Sequence, residues 1–111
     1  MIVKDLYLWV NERYFTDVVY VSQYDTMWQF KVKLIYNNQI LEIPSQATLL
    51  LNGQKPDGSV VSISGTRNQD NSITFNSNSQ LTDVAGKISC EVSIISGNKY
   101  LGSANFILFV E

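Results

Sequence analysis

The segment WQFKVKLIY, residues 28–36, alternates apolar and polar side chains with a period of two. Its apolar positions are Trp28, Phe30, Val32, Leu34 and Tyr36. Successive side chains of a β-strand point to opposite faces, so this alternation predicts a strand with one face in the protein core. The same period recurs in residues 87–94 and 104–110. Both stretches are therefore predicted to be half-buried strands as well.

Turn signals separate these runs at short intervals. They are Asn37-Asn38, Pro56-Asp57-Gly58, residues 68–72 and Gly97-Asn98. Short strands joined by such turns are typical of two-sheet β proteins, and we predict an all-β, immunoglobulin-like antiparallel β-sandwich. The exception is the segment 81–86, where Thr82 can cap and Gly86 can end one short helical turn that crosses between the sheets.

The length and charge are those of one globular unit. At 111 residues the chain has ordinary single-domain size, and we expect residues 1–111 to form one β-sandwich domain. The formal net charge is -2 and the eight basic residues are scattered, so no basic stripe follows a phosphate backbone. No segment approaches the ~20 apolar residues of a membrane span. We therefore expect neither nucleic acid nor a membrane as a partner.

Residue types that carry most enzyme chemistry are scarce. The chain has no histidine and one cysteine, which removes the commonest general base and every Ser-His or Cys-His pairing. Cys90 lies on the apolar face of its predicted strand, as a small core residue does. Asn68, Asp70 and Asn71 lack the spacing of an EF-hand calcium loop and are interpreted as a solvated turn. We predict no catalysis, no cofactor and no metal.

The stretch NGQKPDGS, residues 52–59, has the glycines of a phosphate-binding loop, but its surroundings favour a turn. A phosphate loop leads into a helix, whereas residues 59–63 are β-branched and strand-like. Pro56 fixes φ for the first central position of a type I turn, Asp57 suits the second, and Gly58 permits the positive φ that follows. We predict a hairpin with a glycine bulge, in which these three residues have a structural role.

Four short motifs occur in an order that resembles a known family. They are KPDG at residues 55–58, QLTDVAGK at residues 80–87, an acidic residue at Glu91, and SANF at residues 103–106. In this order and spacing, the chain resembles the N-terminal domain family of phage baseplate upper proteins (BppU) over about residues 25–111. Residues 1–24 match less clearly.

The resemblance implies an attachment domain of a phage virion, which docks a baseplate arm or fibre onto the particle by protein–protein contacts. It implies baseplate, tail or head proteins as partners, and a homo-oligomer such as a trimer in the particle. It also implies synthesis in the host bacterial cytoplasm. Family members usually continue into a helical linker and a receptor-facing region, so we expect this distal function either to be absent or to belong to a part outside this sequence.

Aromatic residues are concentrated near the start of the chain, where residues 1–30 hold eight of the thirteen. There and in the last strand, apolar side chains fall on both faces, although a small sandwich buries only one. The residues expected to face outward as an interface are Tyr7, Trp9, Tyr20, Ile107 and Phe109. The alternative is a carbohydrate-binding module that contacts host glycans, because exposed Trp and Tyr stack on sugar rings. A planar row of aromatics favours sugar, and a mixed apolar patch favours protein.

Overall fold

The computed structural model describes residues 2–10, 17–24, 28–76 and 78–111, and within these ranges the chain forms ten β-strands. The strands are β1 (Ile2–Trp9), β2 (Asp17–Val21), β3 (Trp28–Tyr36), β4 (Gln39–Ile40), β5 (Thr48–Gln54), β6 (Val60–Ser64), β7 (Thr66–Arg67), β8 (Ser72–Asn76), β9 (Gly86–Ser96) and β10 (Lys99–Val110). The three runs with the period of two lie in β3, β9 and β10, as predicted. No helix within the described ranges has the length and apolarity that crossing a membrane requires.

The strands form two sheets that pack face to face, which confirms the predicted β-sandwich. Sheet A contains β1, β3, β8 and β7 in that spatial order, with β4 also paired to β3. Sheet B has the order β2, β10, β9, β5 and β6. The long strands β9 and β10 therefore lie in the interior of sheet B, where β10 pairs with the short edge strand β2.

Two of the described strand pairings are parallel, whereas the sequence predicted antiparallel sheets. β1 runs parallel to β3, with Trp9 beside Ile35. β2 runs parallel to β10, with Tyr20 beside Phe109. Alternation along a strand is the same whichever way its neighbour runs, so the sequence pattern carries no information about strand direction. The prediction was wrong for these two pairs and right for the other described pairs.

The core lies between the inner faces of the two sheets. The predicted inward positions of β3, from Trp28 to Leu34, are fully buried. The Phe30 ring contacts the Trp28 ring at a centroid separation of 4.3 Å and meets Phe106 of β10 edge-on at 5.5 Å, so aromatic contacts join the two sheets. Fully burying a large apolar side chain contributes about 1.5 to 3 kcal/mol. Tyr36, predicted on the same face, is exposed because β3 there enters the turn to β4.

Residues 81–86 contain no helix, which corrects the predicted short helical turn. Leu81 ends a turn, where its amide donates to the Asn78 carbonyl at 3.0 Å. Gly86 already begins β9, with a φ of +126°. The positive φ expected at this glycine is confirmed, but it serves the start of a strand and not the end of a helix.

Contacts with the segment after β2 explain why this corner is not helical. The Thr82 carbonyl accepts from the Tyr24 amide at 2.9 Å. The Asp83 carbonyl accepts from the side-chain amide of Gln23, also at 2.9 Å. A helical turn needs its carbonyls for its own later amides, and here they bond to a segment about 60 residues away in the chain. The corner therefore ties β2 to the connection between β8 and β9.

Candidate functional site

The KPDG stretch forms the predicted hairpin turn between β5 and β6. The Gly58 amide donates to the Lys55 carbonyl at 2.9 Å, and the Lys55 amide donates to the Ser59 carbonyl at 2.8 Å. Gly58 has a φ of +89°, as the predicted glycine bulge requires. Asp57 accepts from the Ser59 hydroxyl at 2.6 Å and from the Ser59 amide at 3.0 Å, and these bonds hold the pKa of Asp57 below its usual value. These groups bond to one another within the stretch, which therefore has the geometry of a hairpin turn.

Two of the motifs that carry the family resemblance meet in space. The Lys55 side chain is only 6% exposed, and its ammonium group bonds to the carboxylate of Asp83. A buried ammonium is stable only with such a partner. Next to this pair, a Cβ added at Gly86 would lie 3.0 Å from Cγ of Pro56. KPDG therefore packs against the 80–87 corner, and the two motifs form one structural contact.

The structure places the five predicted interface residues on two opposite outer faces. Tyr7 and Trp9 lie on the outer face of sheet A, at 49% and 37% exposure. Tyr20 and Phe109 lie on the outer face of sheet B, at 57% and 40% exposure, and Ile107 beside them is half-buried. The two faces point away from each other across the core. The five residues therefore do not form one continuous surface.

On sheet B, four apolar side chains form a cluster that we call the apolar patch. Its members are Val18, Tyr20, Ile107 and Phe109, paired across β2 and β10 as Val18 with Ile107 and Tyr20 with Phe109. The Tyr20 and Phe109 rings are 5.8 Å apart and inclined at 52°. The patch is thus a compact mixed apolar surface at one edge of the sheet, without coplanar rings.

On sheet A, apolar side chains extend across three strands in what we call the apolar row. The register places Trp9 of β1 beside Ile35 of β3, and Ile35 beside Ile40 of β4. Ile40 is 46% exposed. Tyr7 is next to this row, but the Lys33 ammonium lies 5.9 Å from the centre of its ring. The apolar row therefore borders a charged region.

That charged region is centred on Asp70. Its carboxylate is 3.4 Å from the Lys31 ammonium and 3.8 Å from that of Lys33. Asp70 also accepts from the Ser72 hydroxyl at 2.5 Å and from the Ser72 amide at 3.1 Å. These bonds to Ser72, followed by the nearby Lys31 charge, hold the pKa of Asp70 well below its usual value. The segment predicted as a solvated turn thus pairs its carboxylate with two lysines.

The outer face of sheet B is slightly concave over β10, β9, β5 and β6, and we call this region the polar depression because five of its seven lining residues have polar side chains. Its volume is about 320 Å³. It is lined by Asn52, Gln54, Val60, Ser89, Cys90, Glu91 and Asn105. Sequence reasoning recognised the polar alternation of β9 but missed this region, because the alignment of four strands into one face depends on register.

The Cys90 thiol is a core group, as predicted. Cys90 is 2% exposed, and burial raises the pKa of its thiol to about 12. A thiol with so high a pKa has almost no thiolate at neutral pH, and the thiolate is the reactive form. Among the described residues there is also no group of three or more His, Cys, Asp or Glu side chains placed to hold a metal ion.

The comparison with known proteins rests on structure. No protein-family model matches the chain, and no curated protein matches its sequence. A solved structure, the N-terminal domain of phage TP901-1 ORF48, is similar with a TM-score of 0.75 and 13% sequence identity, over 100% of this chain and 99% of that chain. The chain has the fold of this phage domain. The fold implied by the sequence resemblance is therefore confirmed.

Proposed function

We propose that this chain is a structural component of a phage virion, and that it docks a baseplate arm or fibre to the particle by protein–protein contacts. The observation that carries the proposal is the full-length match to the N-terminal domain of a phage baseplate upper protein. The short motifs shared with that family support it independently. The contact between KPDG and the 80–87 corner supports a structural meaning for those motifs, and the role carries no catalytic step.

The apolar patch of sheet B is the docking surface in this proposal. Its side chains lie together on two adjacent strands, and Val18, Tyr20 and Phe109 are each at least 40% exposed. Covering such side chains contributes about 1.5 to 3 kcal/mol each by area, before the cost of association. The apolar row of sheet A is a weaker candidate, because Lys33 and Asp70 border it. Another virion protein with a complementary apolar surface is the partner.

The geometry of the aromatic residues favours this function over sugar binding by an aromatic platform. Such a platform needs rings in one plane. The aromatics predicted to face outward are divided between two faces, and the Tyr20 and Phe109 rings are inclined at 52°. A compact mixed patch of this type is common at the centre of protein interfaces, where aromatic side chains dominate the binding energy.

The test is incorporation of variant proteins into particles. Phage particles assembled with the Tyr20→Ala/Phe109→Ala double variant are purified, and the amount of the protein in each particle is measured by immunoblot. We expect a loss of at least about tenfold, because removing two aromatic anchors costs several kcal/mol in a typical interface. Val60→Ala is the matched control, since Val60 is 61% exposed on the same sheet but lies on the opposite edge strand.

Trp9→Ala distinguishes the two faces of the sandwich. Normal incorporation of Trp9→Ala together with loss of the double variant supports docking through the apolar patch. If Trp9→Ala is the only variant that is not incorporated into particles, the docking surface is on sheet A. Normal incorporation of all variants, each shown to be folded by circular dichroism, refutes docking through either surface. Normal incorporation with lost adhesion to host cells favours the carbohydrate-binding alternative.

A further inference from the structure

The polar depression on sheet B has a regular arrangement set by strand register. Asn105, Glu91, Asn52 and Ser62 lie side by side on β10, β9, β5 and β6. The next row along the same face is Ile107, Ser89, Gln54 and Val60. Neighbouring strands are about 4.8 Å apart, so the polar groups form a grid whose spacing resembles that of functional groups on a small polar molecule.

Much of the hydrogen-bonding capacity of this grid is unused within the protein. The side chains of Gln54, Ser89 and Asn105 make no hydrogen bond to another described residue. Each of the two amides has two N–H donors and a carbonyl acceptor, and the serine hydroxyl both donates and accepts. The grid therefore offers donors and acceptors together, next to the acceptor oxygens of Glu91.

A local network holds Glu91 in place. The Tyr100 hydroxyl donates to Oγ of Ser93 at 2.8 Å, and the Ser93 hydroxyl donates to Oε1 of Glu91 at 3.0 Å. Ser93 faces outward but is fully buried, which indicates that the side chain of Tyr100 covers it. The Tyr100 side chain, itself 62% exposed, thus lies near one end of the polar depression. Oε2 of Glu91 has no partner among the described residues.

The unpaired amide and hydroxyl groups, together with the Glu91 carboxylate and the nearby Tyr100 side chain, favour one class of ligand. A carboxylate repels anions, and a single carboxylate is too few for a divalent cation, which prefers six or more oxygen ligands. Adjacent hydroxyl groups fit better, because each both donates to a carboxylate or amide oxygen and accepts from an amide N–H. An aromatic ring at the border suits the apolar face of a sugar ring. A volume of about 320 Å³ lies at the lower end of small-molecule sites, and one or two sugar rings fit it.

We propose that the polar depression binds a neutral saccharide, with Glu91, Asn105 and Asn52 as hydrogen-bonding partners and Tyr100 as the apolar wall. The lining of the polar depression includes no member of the apolar patch, although Ile107 of the patch lies beside Ser89 at its border. The proposal therefore does not rest on the docking function. We expect weak binding, with a dissociation constant of about 1 mM.

The experiment is a titration followed by two-dimensional amide NMR. D-glucose, D-galactose and N-acetyl-D-glucosamine are added separately to the isotope-labelled chain, with glycerol as a polyol without a ring. We expect at least one sugar to shift the backbone or side-chain signals of Asn52, Gln54, Ser89, Glu91 and Asn105 in a saturable way. Glycerol is expected to leave these signals in place.

Variants test the assignment of the contacts. Glu91→Gln and Asn105→Ala each remove one polar partner and should weaken binding about tenfold, as expected for loss of a hydrogen bond to a polar ligand. Gln39→Ala, which removes an exposed amide on sheet A, is the control and should bind as the parent does. The spectra themselves show whether each variant is folded. If no sugar produces saturable shifts, if the shifts lie outside the polar depression, or if both variants bind like Gln39→Ala, the proposal is wrong.

Discussion

Replacing Lys55 by methionine is expected to lower the free energy of unfolding by about 1.5 to 3 kcal/mol, the range for a hydrogen bond to a charged group. The Lys55 side chain is 6% exposed and its ammonium group bonds to Asp83. Breaking a fully buried ion pair costs more, about 3 to 5 kcal/mol. The Asp83 side chain is 41% exposed, so water solvates the carboxylate that is left and the lower range applies. Methionine retains an unbranched apolar chain, which limits the loss of packing.

A double-mutant cycle isolates the pair from the packing around it. Asp83→Asn removes the negative charge while Lys55 stays buried, and the combined variant removes both charges. Because either single change already breaks the same ion pair, the second change should add little. We expect a coupling energy of at least about 1 kcal/mol, within the range for residues in contact. Lys99→Met, at an exposed position of β10, is the control and should change stability by no more than about 0.5 kcal/mol.

The assay is urea unfolding followed by tryptophan fluorescence, with the fully buried Trp28 as a reporter of the core. The midpoint and slope give the free energy of unfolding for each variant. For a domain of about this size, each kcal/mol also lowers the melting temperature by about 4 to 8 °C. If Lys55→Met is as stable as Lys99→Met, or if the two single effects add, the contact between KPDG and the 80–87 corner does not depend on this ion pair.

Three further predictions concern single residues. Gly58→Val should lower the free energy of unfolding by about 1 to 2 kcal/mol through its positive φ alone, because nothing lies within 4 Å of the added Cβ. Gly86→Val should lower it more, since its Cβ also meets Pro56, and equal urea midpoints for the two variants would contradict this. Cys90→Ala should fold with a loss of about 1 kcal/mol, and in the parent protein the thiol, with its pKa raised to about 12 by burial, should react with iodoacetamide only after unfolding; rapid alkylation of the native protein would place Cys90 outside the core. The pKa of Asp70 is lowered from 3.8 by its bonds to Ser72 and by Lys31, so its contribution to stability is complete at neutral pH and is lost as the pH falls below about 5. Asp70→Asn should therefore make the free energy of unfolding fall less steeply with decreasing pH, and an unchanged slope would show that the carboxylate does not contribute.

The family resemblance was readable because its motifs are short and local in sequence. Pro56, Asp57 and Gly58 have backbone preferences that determine a turn wherever they occur together, and the structure has that turn. The conformation of the second motif, residues 80–87, could not be predicted in the same way. In isolation, Thr82 and Gly86 are compatible with the start and the end of a helical turn. Only the contacts from Lys55 and from the segment after β2 decide that the corner is not helical.

The placement of the predicted interface residues on two different sheets shows the same limit of prediction from sequence. The sequence indicated that Tyr7, Trp9, Tyr20 and Phe109 alternate with core residues and so face outward, and each of them is exposed. It did not indicate that β1 joins sheet A while β2 joins sheet B. Nor did it predict the polar depression, whose lining comes from β5, β6, β9 and β10.

The buried face of each strand and the position of the KPDG turn could be predicted from the amino-acid order, because side-chain alternation and the φ preferences of proline and glycine act over a few neighbouring residues. Which strands are neighbours, in which direction they run, and therefore which exposed side chains share a surface became clear only from the folded chain. Those choices depend on packing and hydrogen bonds between segments far apart in the chain, such as Trp9 with Ile35 and Tyr20 with Phe109, and a period of two is compatible with more than one of them.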